Sequence, residues 1–421
     1  MKAILWGINY TPEATGIAPF NTELAEYLAR ADFDVSVVTG FSYYPHWRKA
    51  PGDRWRLFRT DRIHGVKVHR CAQYVPSRVS TVRRILHELS FGVSSLLRVL
   101  SLPRADIYVV VSPPLFLGFC AWMATVLKRS RFVFHIQDLQ PGAAVGLGMV
   151  KSRGFIRLLY ALERFAYRHA AAVSGISDGM MDELRRKGVA ARNRIYFPNW
   201  LRTSAPVAAV RGDFRRRFEI STTELLAVYS GNLGRKQGID ILLAAAERLK
   251  DAAVTIIIAG AGAERDAFAA RVNALNLPKL RLLPLLSDED YAAMLADASV
   301  GLITQASGTG QYFFPSKLLS LLQAGLPVVT VADTDSELAR AVADGGFGLN
   351  VLPGHAAELA SALLQVAGDE ALRERLKTRT RWVQRFSPDL VLPQFARQLE
   401  NLVNDTGRPP AIVGKREPSG V

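Results

Sequence analysis

The chain has 421 residues, 49% of them hydrophobic and 22% charged. That is enough apolar material for two or three buried cores and is unlike a disordered chain. Cys71 and Cys120 stand alone, outside any CxxC or Cys/His cluster, which excludes a disulfide framework and argues against a structural zinc site. The formal net charge is +15. Residues 1–200 hold 28 Lys and Arg against 14 Asp and Glu, whereas residues 201–421 hold 25 against 24. Such a lopsided field suits an anionic partner for the first half, whether a membrane surface, a phosphorylated acceptor or nucleic acid, with a solvated basic face as the plain alternative.

The opening MKAILWGINYTPEATG has too short an apolar run for a signal peptide. Ile107–Leu127 carries no charge, but Pro113 and Pro114 interrupt it, so it reads as a buried strand, a loop and an apolar helix rather than a membrane span. A soluble chain is expected. Strand-like runs at Ala3–Ile8, Val35–Thr39, Ile107–Val111, Phe132–Ile136, Ala172–Gly175 and Ile195–Phe197 alternate with helical stretches such as Phe20–Ala31, Thr81–Leu100, Phe155–Ala170 and Asp178–Lys187. A second series places strands at Leu225–Tyr229, Val254–Ala259, Val300–Thr304 and Pro327–Val331. Between the two series, Arg202–Arg217 is aperiodic and reads as a linker. The pattern predicts an α/β chain of two Rossmann-like, doubly wound domains facing a central cleft. The tail 409–421 reads as disordered.

Six segments are candidates for chemistry. The loop ending in Gly16 precedes a helix and offers backbone N–H groups to an anion. Asp138 follows the strand ending in His135-Ile136-Gln137, where a carboxylate can orient a hydroxyl or accept a proton. His135 reads as a core residue. Gly231-Asn232-Leu233-Gly234-Arg235-Lys236-Gln237-Gly238 links a strand to a helix and fits a diphosphate clamp, though it is not a P-loop. Gly260-Ala261-Gly262 lacks the third glycine of a dinucleotide fingerprint, and close packing explains it equally well. Ser316-Lys317 opens a helix and can meet an anion there. Asp333-Thr334-Asp335 looks like a DxD metal motif but reads better as the acidic first turn of a helix.

Taken together, NYTPEATGIAPF, VSGISDGMMDELRRKGV with IYFPNW, YSGNLGRKQGIDILLAA, IIIAGAGAERDAF and PSKLLSLLQAGLPVV resemble the GT-B-fold retaining glycosyltransferases of family 4 over about residues 1–405. The QD, PNW, KQG and PSK details are most similar to the subgroup of colanic-acid and exopolysaccharide fucosyltransferase-type enzymes. The chain departs from the family pattern at several positions. Tyr312 and Ser320 stand where two glutamates are usual, Asn232 and Gln237 where an Arg and a Lys are usual, and Gln137 where a histidine is common.

The resemblance implies an acceptor-binding domain over 1–203, with a C-terminal helix of about 386–405 packing back on it, and a nucleotide-sugar domain over 204–385. It implies transfer of a sugar, such as fucose or an N-acetylated amino sugar, from a GDP- or UDP-sugar to a lipid-linked saccharide, with retention and without a metal. Asp138, Arg235 and Lys236 are then the catalytic candidates, and Gly16, Gly231, Asn232, Ser316, Lys317 and Ser320 the donor-binding ones. The expected location is the cytoplasmic face of the inner membrane, with Arg48, Lys49, Arg54, Arg56, Arg83 and Arg84, interleaved with Trp47, Trp55 and Phe58, on anionic headgroups. A non-catalytic sugar-nucleotide-binding subunit is the alternative that the missing glutamates leave open. Nucleic-acid binding has no motif to support it.

Overall fold

The computed structural model describes residues 1–13, 16–44, 46–78, 80–142, 152–201, 209–310 and 316–405. Tyr312, Pro315, residues 202–208 and the tail 409–421 lie outside these. The chain forms two compact units, Met1–Pro198 with the segment from Val391, and Asn199–Leu390.

The first unit runs β1 (Lys2–Trp6), α1 (Ala18–Arg30), β2 (Asp34–Gly40), β3 (Phe58–Ile63), β4 (Val66–Cys71), α2 (Thr81–Ser101), β5 (Ile107–Ser112), α3 (Leu117–Lys128), β6 (Arg131–Ile136), α4 (Arg153–His169), β7 (Ala172–Gly175), α5 (Asp178–Arg186) and β8 (Arg194–Tyr196). Its strands lie in the order β3-β4-β2-β1-β5-β6-β7-β8. All pairs are parallel except β3 with β4. Because crossover helices cover both faces, a central strand such as β5 (IYVVVS) is buried throughout and reads as an unbroken apolar run. The antiparallel β3–β4 hairpin turns through His64 (φ 46°) and Gly65 (φ 85°), the two positive φ values that a tight two-residue turn requires.

The second unit runs α6 (Asp213–Arg217), β9 (Leu225–Asn232), α7 (Asp240–Arg248), β10 (Val254–Ala261), α8 (Arg265–Leu275), β11 (Leu280–Leu283), α9 (Asp288–Asp297), β12 (Val300–Thr304), α10 (Lys317–Gln323), β13 (Val328–Val331), α11 (Glu337–Gly345), β14 (Gly348–Val351), α12 (Ala356–Gly368), α13 (Glu370–Arg379) and α14 (Pro388–Asn404). Its strand order is β11-β10-β9-β12-β13-β14, all parallel. Two apolar clusters sandwich this sheet: Leu242, Leu359 and Leu363 on one side, Phe214, Met294, Leu318 and Phe347 on the other. From Val391 onward, α14 belongs to the first unit, where Phe395 stacks on Phe197 at 3.7 Å between ring centres and Arg131 Nη2 donates to the Asp405 carbonyl at 2.9 Å.

The linker expected over Arg202–Arg217 is corrected at its end, because Asp213–Arg217 is helix α6 and Phe214 is fully buried. A tertiary contact organises it: the buried Asp297 carboxylate accepts the Gly212 and Arg215 amides, the latter at 2.9 Å. Hydrogen bonds to a charged group contribute about 1.5–3 kcal/mol each. Asp297→Ala is therefore expected to cost about 2–3 kcal/mol in urea unfolding. A change within 0.5 kcal/mol would show that α6 is held by Phe214 alone.

Candidate functional site

In a doubly wound sheet, ligands bind outside the carboxyl ends of strands where the strand order reverses. In the second unit this point lies between β9 and β12. The loops that leave these two strands touch, with the Ala306 amide donating to the Lys236 carbonyl at 3.0 Å. Gly238 (φ 56°) makes that approach possible, since a Cβ there would press on Ala306 Cα at 3.1 Å. The paired strand ends of β9 and β10 are equally close. A Cβ on Gly260 would overlap the Gly231 carbonyl, and one on Gly262 the Leu233 carbonyl. The GAG segment is thus accounted for by backbone packing.

Lys317, the first residue of α10, sends its side chain under this loop. Its Nζ sits 3.8 Å from the centre of the Tyr229 ring and would be 3.2 Å from a Cβ placed on Gly231. Gly231 (φ 144°) is therefore required both by its backbone conformation and by the space the amine fills. The amine is buried and has no hydrogen-bond partner among the described residues. Burial first, and the Lys236 charge second, pull its pKa down to about 7. The Tyr229 hydroxyl, pushed up by burial, donates to the Asn232 carbonyl at 2.9 Å and fixes the strand end. What results is an amine held between an aromatic face and a glycine backbone, a group that a nearby anion would stabilise in its charged form.

The other predicted residues of this unit are distributed around it. Lys236 is half-buried in a 3-10 turn spanning Arg235–Gln237. Arg235 points outward, 75% exposed, and pairs with Glu264 at 3.5 Å. Asn232 is exposed, Ser320 half-buried within α10, and Ser316 exposed, its hydroxyl capping nothing in its own helix. Gln237 is buried, with Oε1 beneath Gly234.

Asp333–Asp335 is not the first turn of a helix, which is a correction. Helix α11 begins at Glu337 behind the Ser336 cap. Asp333 instead accepts from the Ser307 hydroxyl at 2.9 Å and the Gly308 amide at 2.6 Å, tying the β12 and β13 loops together. A recess of about 360 Å³ lies beside this clamp, lined by Ser307, Gly308, Gly310, Asp333, Thr334, Asp335 and Leu352. Three of these residues form the DxD-like segment that the sequence showed, but no pattern marked Ser307, Gly308, Gly310 or Leu352 as their neighbours. Among the described residues, no group of three or more His, Cys, Asp or Glu side chains could hold a metal ion.

In the first unit, Asp138 is half-buried in the bend after β6. The preceding residues are locked. His135 is buried, its Nδ1 at 2.9 Å from Ser174 Oγ and its Nε2 at 2.8 Å from the Gln137 amide nitrogen, and burial pulls its pKa to about 3. With Gln137 donating, the neutral ring donates in turn to Ser174. His135 is thus a core residue that holds the Gln137 side chain just before Asp138. Gly16 (φ 68°) is exposed at the turn before α1. Glu13, which sequence reasoning missed, is buried and accepts from the Tyr43 and Tyr44 amides at 2.8 and 3.0 Å and from Asn9 Nδ2 at 2.7 Å, binding the β1 and β2 loops together. Burial raises its pKa, against the pull of those donors.

This architecture has counterparts among known proteins. Residues 15–200 match the glycosyl transferase 4-like domain and residues 210–382 the glycosyl transferases group 1. The chain belongs to the GT-B glycosyltransferases. It is 34% identical over 349 residues to WcaI of Escherichia coli (strain K12), provisionally named a colanic acid biosynthesis glycosyl transferase, covering 81% of this chain and 85% of that protein. Its fold superposes on sucrose-phosphate synthase from Thermosynechococcus elongatus at a TM-score of 0.73 and 18% identity, covering 95% and 98% of the two chains. HepE of Anabaena in complex with UDP-glucose gives 0.67 and 15%, covering 95% and 100%. Both comparisons speak to the fold alone.

The Lys317 amine in this glycosyltransferase carries a measurable penalty. Its ordinary pKa of 10.5 falls to about 7 on folding. The unfolded chain therefore binds this proton over a range where the folded chain does not, and stability is lost as pH falls from about 10.5 to about 7, by ~1.4 kcal/mol per pH unit at most. Lys317→Met is expected to raise the urea midpoint at pH 7 and to raise it less at pH 9.5. An equal gain at both pH values would show that the amine is not titrating as described.

Proposed function

We propose that this glycosyltransferase moves a sugar from a nucleoside diphosphate sugar to a lipid-linked saccharide during assembly of a colanic-acid-like or other exopolysaccharide, with retention at the anomeric carbon. The observation that carries the donor half of this reading is the buried Lys317 amine beside Gly231 and Lys236, which has no hydrogen-bond partner among the described residues. An isolated protein gains nothing by burying such a group. A diphosphate at this loop would supply the missing anion and return the amine to its charged form. The likeness to WcaI supports the polysaccharide context.

The chemistry asks little covalent participation of the protein. A diphosphate already leaves well, so two carboxylates about 5 Å apart, as in a retaining glycosidase, are not required. The demand is for fixed cations and amides where charge develops on the departing phosphates. Lys236 and Lys317 serve that role, with Ser316, Ser320, Asn232 and the Gly231 backbone as further donor contacts. Arg235 joins them only by leaving Glu264, an exposed pair of small cost to break. In this reading Asn232 and Gln237, in place of the usual Arg and Lys, alter donor recognition. The second unit binds the donor and needs no metal. The first unit receives the acceptor, with Asp138 and the Gly16 loop orienting it or the donor sugar.

The acceptor sits at a membrane, and the exposed Arg48, Arg54, Arg56, Arg83 and Arg84 of the first unit face anionic headgroups. Trp47 and Lys49, which the sequence placed with them, are half-buried. Trp47 packs on Tyr43 and His87, and Lys49 lies over the Phe41 ring. No helix among the described residues is long and apolar enough to cross a membrane, so this reading makes the association peripheral, on the cytoplasmic face.

The test is nucleoside diphosphate release from a panel of GDP- and UDP-sugars, with and without a lipid-linked saccharide fraction and in excess chelator. Release from one donor, raised by the lipid fraction and unaffected by chelator, is expected. Donor binding without release would make the chain a binding subunit instead, and loss in chelator restored by magnesium would overturn metal independence. Losing one preorganised charge contact costs about 2.7–4 kcal/mol of transition-state stabilisation. Lys236→Ala should accordingly lower turnover by about two to three orders of magnitude, and a change under threefold would remove Lys236 from the site.

A further inference from the structure

On helix α2, Arg84, His87, Glu88 and Phe91 follow one another at i, i+3, i+4 and i+7 and share one face. Further along that face, Phe91, Ser95 and Val99 are buried against the sheet. The helix leaves the carboxyl end of β4, which runs parallel to β2, so its first turns stand at the edge where the strand loops collect. In this sheet the strand order reverses between β1 and β5. Glu88 therefore comes to the rim of the crevice that a ligand of such a sheet occupies.

Its bonding there is incomplete. The Glu88 side chain is 20% exposed, yet among the described residues its hydrogen bonds are long, 3.3 Å from Arg84 Nε and 3.4 Å from Gln140 Nε2 to each carboxylate oxygen. A carboxylate offers about four lone-pair sites, and charge-assisted bonds from nitrogen close to about 2.7–2.9 Å. Burial holds the carboxyl above its ordinary range, against the pull of Arg84 and Gln140. The neighbours are fixed by other contacts. The Leu115 amide donates to Gln140 Oε1 at 2.7 Å, which turns Nε2 toward the helix. His87, kept neutral by burial with a pKa of about 4, donates from Nδ1 to the Tyr74 carbonyl and packs its ring on Tyr43 at 4.5 Å between centres. Glu88 thus has acceptor capacity that its rigid surroundings leave unused.

An aromatic ring stands beside this carboxylate. Tyr44 is half-buried, and a Cβ on Gly16 would lie 3.8 Å from its Cε1. The Arg84 charge acts on the hydroxyls of Tyr43 and Tyr44, and the Glu88 charge on that of Tyr43. The buried Glu13 fixes both tyrosines by accepting their amides. Loops after β1, β2, β5 and β6 therefore bring a glycine turn, a ring, a primary amide and an under-used carboxylate to one place.

We propose that Glu88, flanked by Gln140 and the Tyr44 ring, binds hydroxyl groups of the acceptor saccharide. Sugar hydroxyls are neutral donors, which a carboxylate with spare lone pairs accepts, and the apolar face of a sugar packs on an aromatic ring. A phosphate would meet repulsion from Glu88 at the same spot. The inference rests on the acceptor half of the function proposed above and supplies a residue for it that no sequence motif marked.

The probe is the saccharide freed by mild acid from a lipid-linked saccharide fraction, which needs no membrane. Saturation-transfer difference NMR with the full chain should show transfer to its ring protons. Glu88→Gln and Tyr44→Ala should each cut that transfer severalfold, and Tyr44→Phe should retain it, because the ring and not the hydroxyl is used. In the donor-release assay, Glu88→Gln should raise KM for the lipid-linked fraction by about tenfold and leave kcat within about threefold, the mark of lost binding. If Tyr44→Ala fails to fold, the nearly isosteric Glu88→Gln still decides.

No transfer to the freed saccharide would overturn the proposal, as would transfer and KM that Glu88→Gln does not move. A fall in kcat together with a lower urea midpoint, at unchanged KM, would also overturn it, making Glu88 only a tie between α2 and the β6 loop. Glu88-dependent saccharide binding in a chain that releases no nucleoside diphosphate would instead overturn the transferase reading and leave this one standing.

Discussion

Parallel pairing governs everything else in this chain. Consecutive parallel strands must each be started from the same end, so every crossover returns a helix across a sheet face, and the carboxyl ends of the strands collect along one edge. Both faces of each sheet are thereby buried, and the loops at that edge are left to do chemistry. The β9 and β12 loops meet there only because two strands distant in sequence are neighbours in the sheet. The glycines of this edge follow from the same constraint. Gly238, Gly260 and Gly262 are where backbones approach too closely for a Cβ.

Within that frame Lys317 is a stored electrostatic tension. Its amine has been taken out of water, set on the Tyr229 ring and given the Lys236 charge as a neighbour. Each of these disfavours an ammonium except the aromatic face, which offsets part of the cost. The folded unit therefore holds a group that is stabilised by the arrival of an anion. The penalty without an anion and the gain with one have the same origin, so under the proposed function stability and donor recognition oppose each other at this residue.

Helix α2 expresses a different tension. Its core side anchors it through Phe91 and Val99, while its outer side keeps Leu and Val in water.

The sequence by itself determined the two series of strands and helices, the Gly-rich strand ends, the position of Asp138 after β6 and the membership in a two-sheet α/β class, because apolar period and turn chemistry are local properties. The β3–β4 hairpin escaped notice because FRTDRI alternates between polar residues and gives no hydrophobic period, although His64-Gly65 was the available turn signal. The edge strands β11 (LRLL) and β14 (GLNV) are mostly half-buried, and a polar residue interrupts each short apolar run, unlike the equally short but fully buried β7 and β13. Helix α6 escaped for a tertiary reason, since Asp297 organises it from 85 positions away.

Only the tertiary structure decided which of the candidate cations is buried. Arg235, Lys236 and Lys317 are alike as symbols in a sequence, yet one lies in solvent, one is half-covered and one has lost water altogether. It likewise decided which face of α2 turns outward, because a helix apolar on both sides has no preferred face until the sheet beneath it selects one. Desolvation depends on atoms brought together from distant parts of the chain, and no local pattern of residues encodes it.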